Sequence, residues 1–295
     1  MTNASIFAED ARVLIHDALP ASQYLLRLHT PECAKTVQPG NFIHLSCSHE
    51  KYSLKRPFSV LRSSKNEGWI EILYKVVGSG TDKLAQIKPN DVLHCLGPIG
   101  NAFTPSSHTK KPLLLGGGVG IPPILFFAEQ LKKNNNITPM VIMGSEIPFP
   151  FKVQPSKILI DSMPNDTIAS MALLEDLNIP SRLTSKQSYA GCYDGYIHEL
   201  ANIWLQNLSD HERSDIEIFA CGPTVMLKAV AKLSQQFSLP CQLSLEEYMA
   251  CAVGGCAGCT VETINDAGQR QMKRVCVDGP IFDANAVFLN DYLDG

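Results

Sequence analysis

Four cysteines near the C-terminal end stand at spacings that suit metal chemistry: Cys251-Ala-Val-Gly-Gly-Cys256-Ala-Gly-Cys259, then Cys276 inside Arg274-Val-Cys-Val-Asp-Gly-Pro280. The C-x4-C-x2-C run is that of the first three ligands of a plant-type [2Fe–2S] cluster, which takes its fourth thiolate from further along the chain. Gly254, Gly255 and Gly258 let a short loop reach positive φ and bring backbone N–H groups close to inorganic sulfides. Such N–H bonds and low solvent access set a cluster's potential. A four-thiolate zinc site is a competing reading, although zinc sites usually pair two C-x2-C knuckles and this stretch has one. Unligated thiols are the third reading. An iron–sulfur centre moves single electrons, so the rest of the chain must supply and receive them.

Three further stretches carry chemistry. Gly116-Gly117-Gly118-Val119-Gly120 separates an apolar strand from a helix, where backbone N–H groups and the positive helix end can hold a diphosphate. It is not the strict G-x-G-x-x-G pattern, and a plain βα turn is the alternative. Ile218-Phe-Ala-Cys221-Gly222-Pro223 ends a second strand, and ligands of open α/β sheets collect at such carboxyl ends. A buried cysteine before a helix start is the plainer reading. Arg56-Pro57-Phe58-Ser59 offers a phosphate-binding guanidinium, a ring and a hydroxyl at a strand start, which suits a flavin. Lys75 and Gly80-Thr81 follow on the next hairpin. Glu146, after the second strand of the βαβ unit, would accept from a ribose 2′-hydroxyl and repel a 2′-phosphate, which favours NAD.

The elements that must position these residues divide the chain in three, expected at 1–105, 106–240 and 241–295. From about residue 12 to 96, short runs at 24–29, 42–46, 58–62, 69–76 and 92–96 are separated by turn signals such as Pro39-Gly40-Asn41 and Gly78-Ser79-Gly80. That is the pattern of a small antiparallel barrel or sandwich. Strands at 112–115, 140–143, 157–160 and 216–220, with helices at 121–133, 166–177, 196–208 and 224–237, read as a parallel α/β sheet. The Pro/Phe-rich segment 148–155 has no assignable element. From 241 on, strands at 259–264 and 272–277 flank a turn at 265–268, a small hairpin over the cysteines and too short to fold well without metal. The expected class is therefore multi-domain β plus α/β.

Composition narrows the function. The 295 residues are 45% hydrophobic and 18% charged with net charge −4, so no basic excess points to nucleic acid. No apolar run approaches the ~18 residues of a membrane span. The polar, acidic start from Met1 to Asp10 does not read as a signal peptide. Without an export signal, the ten cysteines fit a reducing cytoplasm. Those outside the cluster, Cys33, Cys47, Cys95, Cys192, Cys221 and Cys241, read mostly as small buried hydrophobes.

In combination, R-P-F-S, G-S-G-T, G-G-G-V-G-I-P-P and C-G-P resemble the ferredoxin–NADP reductase superfamily of flavin and nicotinamide modules. The cysteine set follows Ser244-Leu-Glu-Glu-Tyr-Met249 and runs into Val277-Asp-Gly-Pro-Ile-Phe282. This makes the chain similar to the electron-transfer subunits of NAD-dependent (class 1B) dihydroorotate dehydrogenases, from about residue 11 to 288. The resemblance implies FAD held by Arg56, Pro57, Phe58 and Ser59, lined by Leu73, Tyr74 and Lys75, with its diphosphate at Gly80 and Thr81. It implies an NAD crevice of Gly116 to Gly120 with Cys221, Gly222 and Pro223. Cys221 is the candidate catalytic contact near the nicotinamide, a positioned group and not a nucleophile. Cys251, Cys256, Cys259 and Cys276 would ligate the [2Fe–2S] cluster.

The family's partner is a separate FMN-containing catalytic subunit that oxidises dihydroorotate to orotate in pyrimidine biosynthesis, in a heterotetramer with two copies of each chain. A small subunit of an NAD(P)-linked ferredoxin oxidoreductase or hydrogenase shares the architecture. A zinc-stabilised interaction protein is the non-enzymatic alternative. Two departures stand out. Ala252 replaces the glycine common after the first cluster cysteine, and Thr184-Ser-Lys-Gln-Ser-Tyr-Ala-Gly191 stands where many relatives carry an acidic D-G-S segment.

Overall fold

The computed structural model describes residues 5–48 and 54–288; the segment ends at 1–4 and 289–295, and residues 49–53, lie outside them. The first part contains β1 (Phe7–Leu19), β2 (Gln23–His29), α1 (Pro31–Thr36), β3 (Phe42–Leu45), β4 (Arg56–Ser64), β5 (Trp69–Lys75), α2 (Ser79–Leu84) and β6 (Val92–Ile99). The strands close into a barrel in the order β1-β2-β5-β4-β3-β6, and each pairing is antiparallel. Alternation sends Ala11, Val13, Leu26, Leu28, Ile43, Leu45, Ile70 and Ile72 inward. Strand β1 was not legible in the sequence. Glu9 stands on the same face as Ala11 and Val13, and a register shift between Val13 and Ile15 breaks the alternation, so its register against β2 and β6 defines it instead.

The second part contains β7 (Leu113–Gly117), α3 (Ile121–Leu131), β8 (Met140–Gly144), β9 (Val153–Pro155), β10 (Ala169–Met171), α4 (Ala172–Asp176), β11 (Ser181–Thr184), α5 (Ile197–Gln206), α6 (Asp210–Arg213), β12 (Ile218–Cys221), α7 (Thr224–Gln236) and β13 (Cys241–Ser244). The last part adds β14 (Thr260–Ile264), β15 (Arg270–Arg274), α8 (Val275–Asp278), β16 (Ile281–Asp283) and α9 (Ala284–Phe288). A six-stranded sheet runs β11-β8-β7-β12-β13-β16, parallel except for β16. Residues beyond 241 thus contribute two strands to this sheet, β13 and β16, and a separate hairpin, β14–β15.

Three expected elements are corrected. The strand expected at 272–277 ends at Arg274, and Val275–Asp278 forms helix α8 instead. No strand forms at 157–160. The Lys157 N–H donates to Glu175, and the Ile158 carbonyl accepts from Arg182 at 2.9 Å, so side chains take the bonds a ladder would need. The expected helix at 166–177 begins only at Ala172, because Ala169–Met171 pairs with β9 as a strand. The turn expected at Gly80-Thr81 is the first turn of α2.

The three parts are clamped together. Arg62 on β4 reaches Glu129 on α3 at 2.6 Å. Asn101 receives the Ile281 N–H at 2.8 Å and donates to the Ile281 carbonyl at 3.0 Å, while its own N–H bonds to Gly279 at 2.7 Å. Asn41 donates to the Gly100 carbonyl at 2.8 Å and accepts from the Gln38 N–H at 2.8 Å. These two amides hold the end of the cysteine segment against the barrel.

Candidate functional site

Strands β4 and β5 pair from Ser64↔Trp69 to Val60↔Ile72 and then part. Beyond that point Arg56, Pro57, Phe58 and Ser59 pair with β3, Leu73, Tyr74 and Lys75 pair with β2, and the Phe58 ring meets the Tyr74 ring edge-on at 5.7 Å. Arg56 donates to the carbonyls of Leu54 and Lys55 at 3.1 and 3.2 Å. Its guanidinium also lies across the start of α2: a Cβ on Gly80 would stand 3.4 Å from the Arg56 Nε. Thr81 Oγ1 accepts from the N–H groups of Val77 and Gly78 at 2.9 and 3.2 Å, which fixes this turn. The opening N–H groups of a helix have no intrahelical partner, and here they stand beside the Arg56 guanidinium. Tyr74 is buried and faces the barrel: its hydroxyl lies 2.9 Å from His16 Nε2 and its ring stacks on Tyr24. Burial raises its phenol above the usual value.

The glycine turn and the C-G-P turn meet as expected. Gly116 pairs with Cys221 across β7 and β12. A Cβ on Gly120 would fall 2.2 Å from the Cys221 carbonyl oxygen, so only glycine permits this approach. Gly118 has φ +54 with open space where a Cβ would be, and Val119 is exposed beside it. Gly222 is buried and Pro223 starts α7 from the exposed rim. Glu146 is exposed just beyond the end of β8, and Ser145 anchors that turn by donating to the Ile147 carbonyl at 2.7 Å.

Cys221 is fully buried, and burial followed by the Glu246 carboxylate pushes its thiol well above the ordinary value. It is therefore a neutral thiol. Glu246 itself is raised by desolvation although solvent still reaches its side chain, as befits a carboxyl lining a crevice.

The four cluster cysteines stand as two pairs. The Sγ atoms of Cys259 and Cys276 are 3.3 Å apart, both buried. Cys251 Sγ accepts from the Cys256 N–H at 3.4 Å, and Cys256 Sγ from the Gly258 N–H at 3.4 Å. N–H groups of Val253, Cys256 and Gly255 pull the Cys251 thiol down to about 7 against some desolvation. Among the described residues no three His, Cys, Asp or Glu side chains converge on one point. Two thiol pairs, rather than one tetrahedral centre, are what two bridged irons require, so the donor set fits a [2Fe–2S] cluster. Ala252 has φ 57 and Ala257 φ 54, so the loop keeps a left-handed turn without glycine. An alanine there costs about 1–2 kcal/mol. The Ala252 methyl offsets part of this by packing with Phe42, Ile99 and Val275.

Models of two families match the chain: the oxidoreductase FAD-binding domain at residues 12–103, and the iron-sulfur cluster binding domain of dihydroorotate dehydrogenase B at residues 246–288. A Caldanaerobacter subterraneus subsp. tengcongensis protein named dihydroorotate dehydrogenase B (NAD(+)), electron transfer subunit, is 32% identical over 94% of this chain and 97% of its own length. A Streptococcus mutans protein of the same name is 33% identical over 86% and 88%. The chain belongs to this family. It is a flavin-dependent oxidoreductase subunit with FAD and iron–sulfur domains. A solved NADH-dependent reduced ferredoxin-NADP oxidoreductase superposes with TM-score 0.75 at 25% identity, covering 97% of this chain and 92% of that one. A Neisseria gonorrhoeae ferredoxin NADP+ reductase with bound FAD and NADP has TM-score 0.57 at 16% identity over 78% and 91%, a likeness of fold. Among the described residues no helix is long and apolar enough to cross a membrane.

Sequence reading missed Asn41, Asn101, His44 and Glu246. Asn41 and Asn101 lay in stretches read only as turns. Glu246 had a signal in its place directly after strand β13, at the same sheet edge as Cys221.

Proposed function

We propose that this chain passes electrons from an FMN-containing dihydroorotate dehydrogenase catalytic subunit to NAD+, in the pyrimidine (UMP) pathway. One observation carries the reading. Cys259 and Cys276 share a buried cluster with Phe42 and Ile99 of the barrel, and Phe42 is the cross-strand partner of Ser59. The cysteine pairs and the proposed flavin strand are thus separated by one strand. When bound, FAD exchanges hydride with NAD while the cluster takes electrons singly, so one chain joins two- and one-electron chemistry.

The residues divide the work. Arg56, with the N–H groups at Gly80 and Thr81, holds the FAD diphosphate; Pro57, Phe58, Ser59, Leu73, Tyr74 and Lys75 border its ring system. Gly116, Gly117, Gly118, Val119 and Gly120, with Gly222 and Pro223, hold the nicotinamide nucleotide, and Glu146 selects the ribose hydroxyl of NAD. Cys221 orients the nicotinamide as a neutral thiol, since hydride transfer needs alignment and no covalent step. Cys251, Cys256, Cys259 and Cys276 would supply the four thiolates that hold the cluster. The assembly is a cytoplasmic heterotetramer with two copies of each subunit.

The test is the purified chain's flavin, iron and labile sulfide, with its NADH oxidation by artificial acceptors. Cys221→Ser is expected to slow that oxidation and leave iron content unchanged; loss of iron in this variant would contradict the role. A second reading, a small subunit of an NAD(P)-linked ferredoxin oxidoreductase, is favoured by the full-length superposition on the NADH-dependent reduced ferredoxin-NADP oxidoreductase. Dihydroorotate-dependent activity separates the two.

A further inference from the structure

Strand β3 is the wall between the two proposed redox sites. Its pleat sends Ile43 and Leu45 into the barrel core and Phe42 toward Ala252, Cys259, Val275 and Cys276. His44 lies two residues along, on the same face as Phe42. Its neighbours across the ladders are Pro57 on β4 and Leu96 on β6.

His44 is only 1% exposed, and among the described residues neither ring nitrogen has a hydrogen-bond partner. The backbone carbonyls of Lys55 and Met249 face the ring, near enough to favour its protonated form but outside hydrogen-bond geometry. Lys55 leads directly into Arg56-Pro57-Phe58-Ser59, and Met249 stands two residues before Cys251. A buried imidazole with no partner carries a desolvation cost that an aliphatic side chain would avoid. The ring is therefore packed between the two segments without a hydrogen bond to either among the described residues.

We propose that His44 is a positioning residue that ties the strand carrying Arg56 to Ser59 to the loop carrying Cys251 to Cys259, and so sets the electron coupling between flavin and cluster. This rests on the reading of those two segments as the FAD and cluster sites. The neutral ring has one N–H to donate. Its second nitrogen accepts, so the ring engages one backbone carbonyl at a time and keeps both segments within its reach. Phe42 and Leu96 exclude water from the same wall.

The test uses the holo chain and its His44→Leu and His44→Gln variants. Flavin and iron contents are measured first, and their absence from the wild type refutes the site assignment rather than His44. Amide hydrogen exchange is then read at 54–59 and 249–258, with the EPR spectrum of the chemically reduced cluster and the rates of flavin and cluster reduction after NADH mixing. In His44→Leu both segments are expected to lose protection together, since the ring is packed between them. Cluster reduction slows, the EPR spectrum shifts, and flavin reduction by NADH is affected less than cluster reduction. His44→Gln, which retains one N–H donor and an acceptor, restores most of each effect. Wild-type exchange, EPR and cluster reduction in His44→Leu would overturn the proposal. So would a His44→Gln variant as impaired as His44→Leu, since the ring would then act by shape alone.

Discussion

Gly120→Ala is the sharpest perturbation of the nucleotide crevice. An ideal Cβ there would lie 2.2 Å from the Cys221 carbonyl oxygen, 2.3 Å from its carbon and 2.5 Å from the Gly222 nitrogen. All three are backbone atoms, so no rotamer change relieves the clash, and the turns after β7 and β12 must separate by roughly 1 Å. Overpacking of this kind costs about 3 kcal/mol at the upper end of its usual range. In a domain of this size that corresponds to a Tm fall of about 6–12 °C. The same displacement moves the two turns proposed to hold the nucleotide, and a 1 Å error in positioning costs on the order of 100-fold. The assay is kcat/KM for NADH with an artificial acceptor, beside a melting curve and flavin and iron content. Gly118→Ala is the control: φ is +54 but nothing stands within 4 Å of its Cβ, so only about 1–2 kcal/mol of backbone strain applies. Gly120→Ala with wild-type Tm and kcat/KM, or no more impaired than Gly118→Ala, would refute the reasoning.

Three further outcomes are expected. Cys276→Ser removes one thiolate of the buried pair, so iron and labile sulfide drop; hydrogen exchange should rise at 251–278 and not in the barrel strands. Arg56→Ala loses charge-assisted bonds worth about 1.5–3 kcal/mol, so equilibrium dialysis should show FAD bound about 10–150-fold more weakly, with iron content retained. Burial, ahead of the opposing Lys55 carbonyl and the cations of Lys55 and Arg56, lowers His44 from 6.5 to about 4. Between these values the unfolded chain binds a proton that the native chain does not, so stability is full above pH 6.5 and falls as the pH drops toward 4. Melting curves across that window should show a shallower acid slope in His44→Leu than in the wild type.

The chemistry was more legible than the architecture that joins it. The cysteine spacing, the glycine turn and the C-G-P turn are short, local patterns, and each reappears where a strand meets a loop. The barrel strands with clean alternation, such as β2 and β5, were also readable. Strand β1 was hidden because Glu9 and a register shift break its alternation, and β9, β10 and β16 are too short to carry a period of their own. Their existence depends on partners distant in sequence, as Ile281–Asp283 depends on β13. The same holds for the site. Asn101 reads as a turn residue until Ile281 is brought against it, and His44 reads as an interrupted apolar strand until Met249 and Lys55 close over it. The sequence showed only that Ala252 stands where glycine is common; its positive φ came from the backbone.

The most direct measurement of the central claim is an anaerobic pull-down of the tagged chain from its own cells, assayed for dihydroorotate-dependent reduction of NAD+. Activity with a co-purifying FMN protein in equal amount is the expected result. A chain that carries flavin and iron and oxidises NADH with artificial acceptors, yet ignores dihydroorotate with its partners present, would contradict the claim and leave the ferredoxin-linked reading in its place.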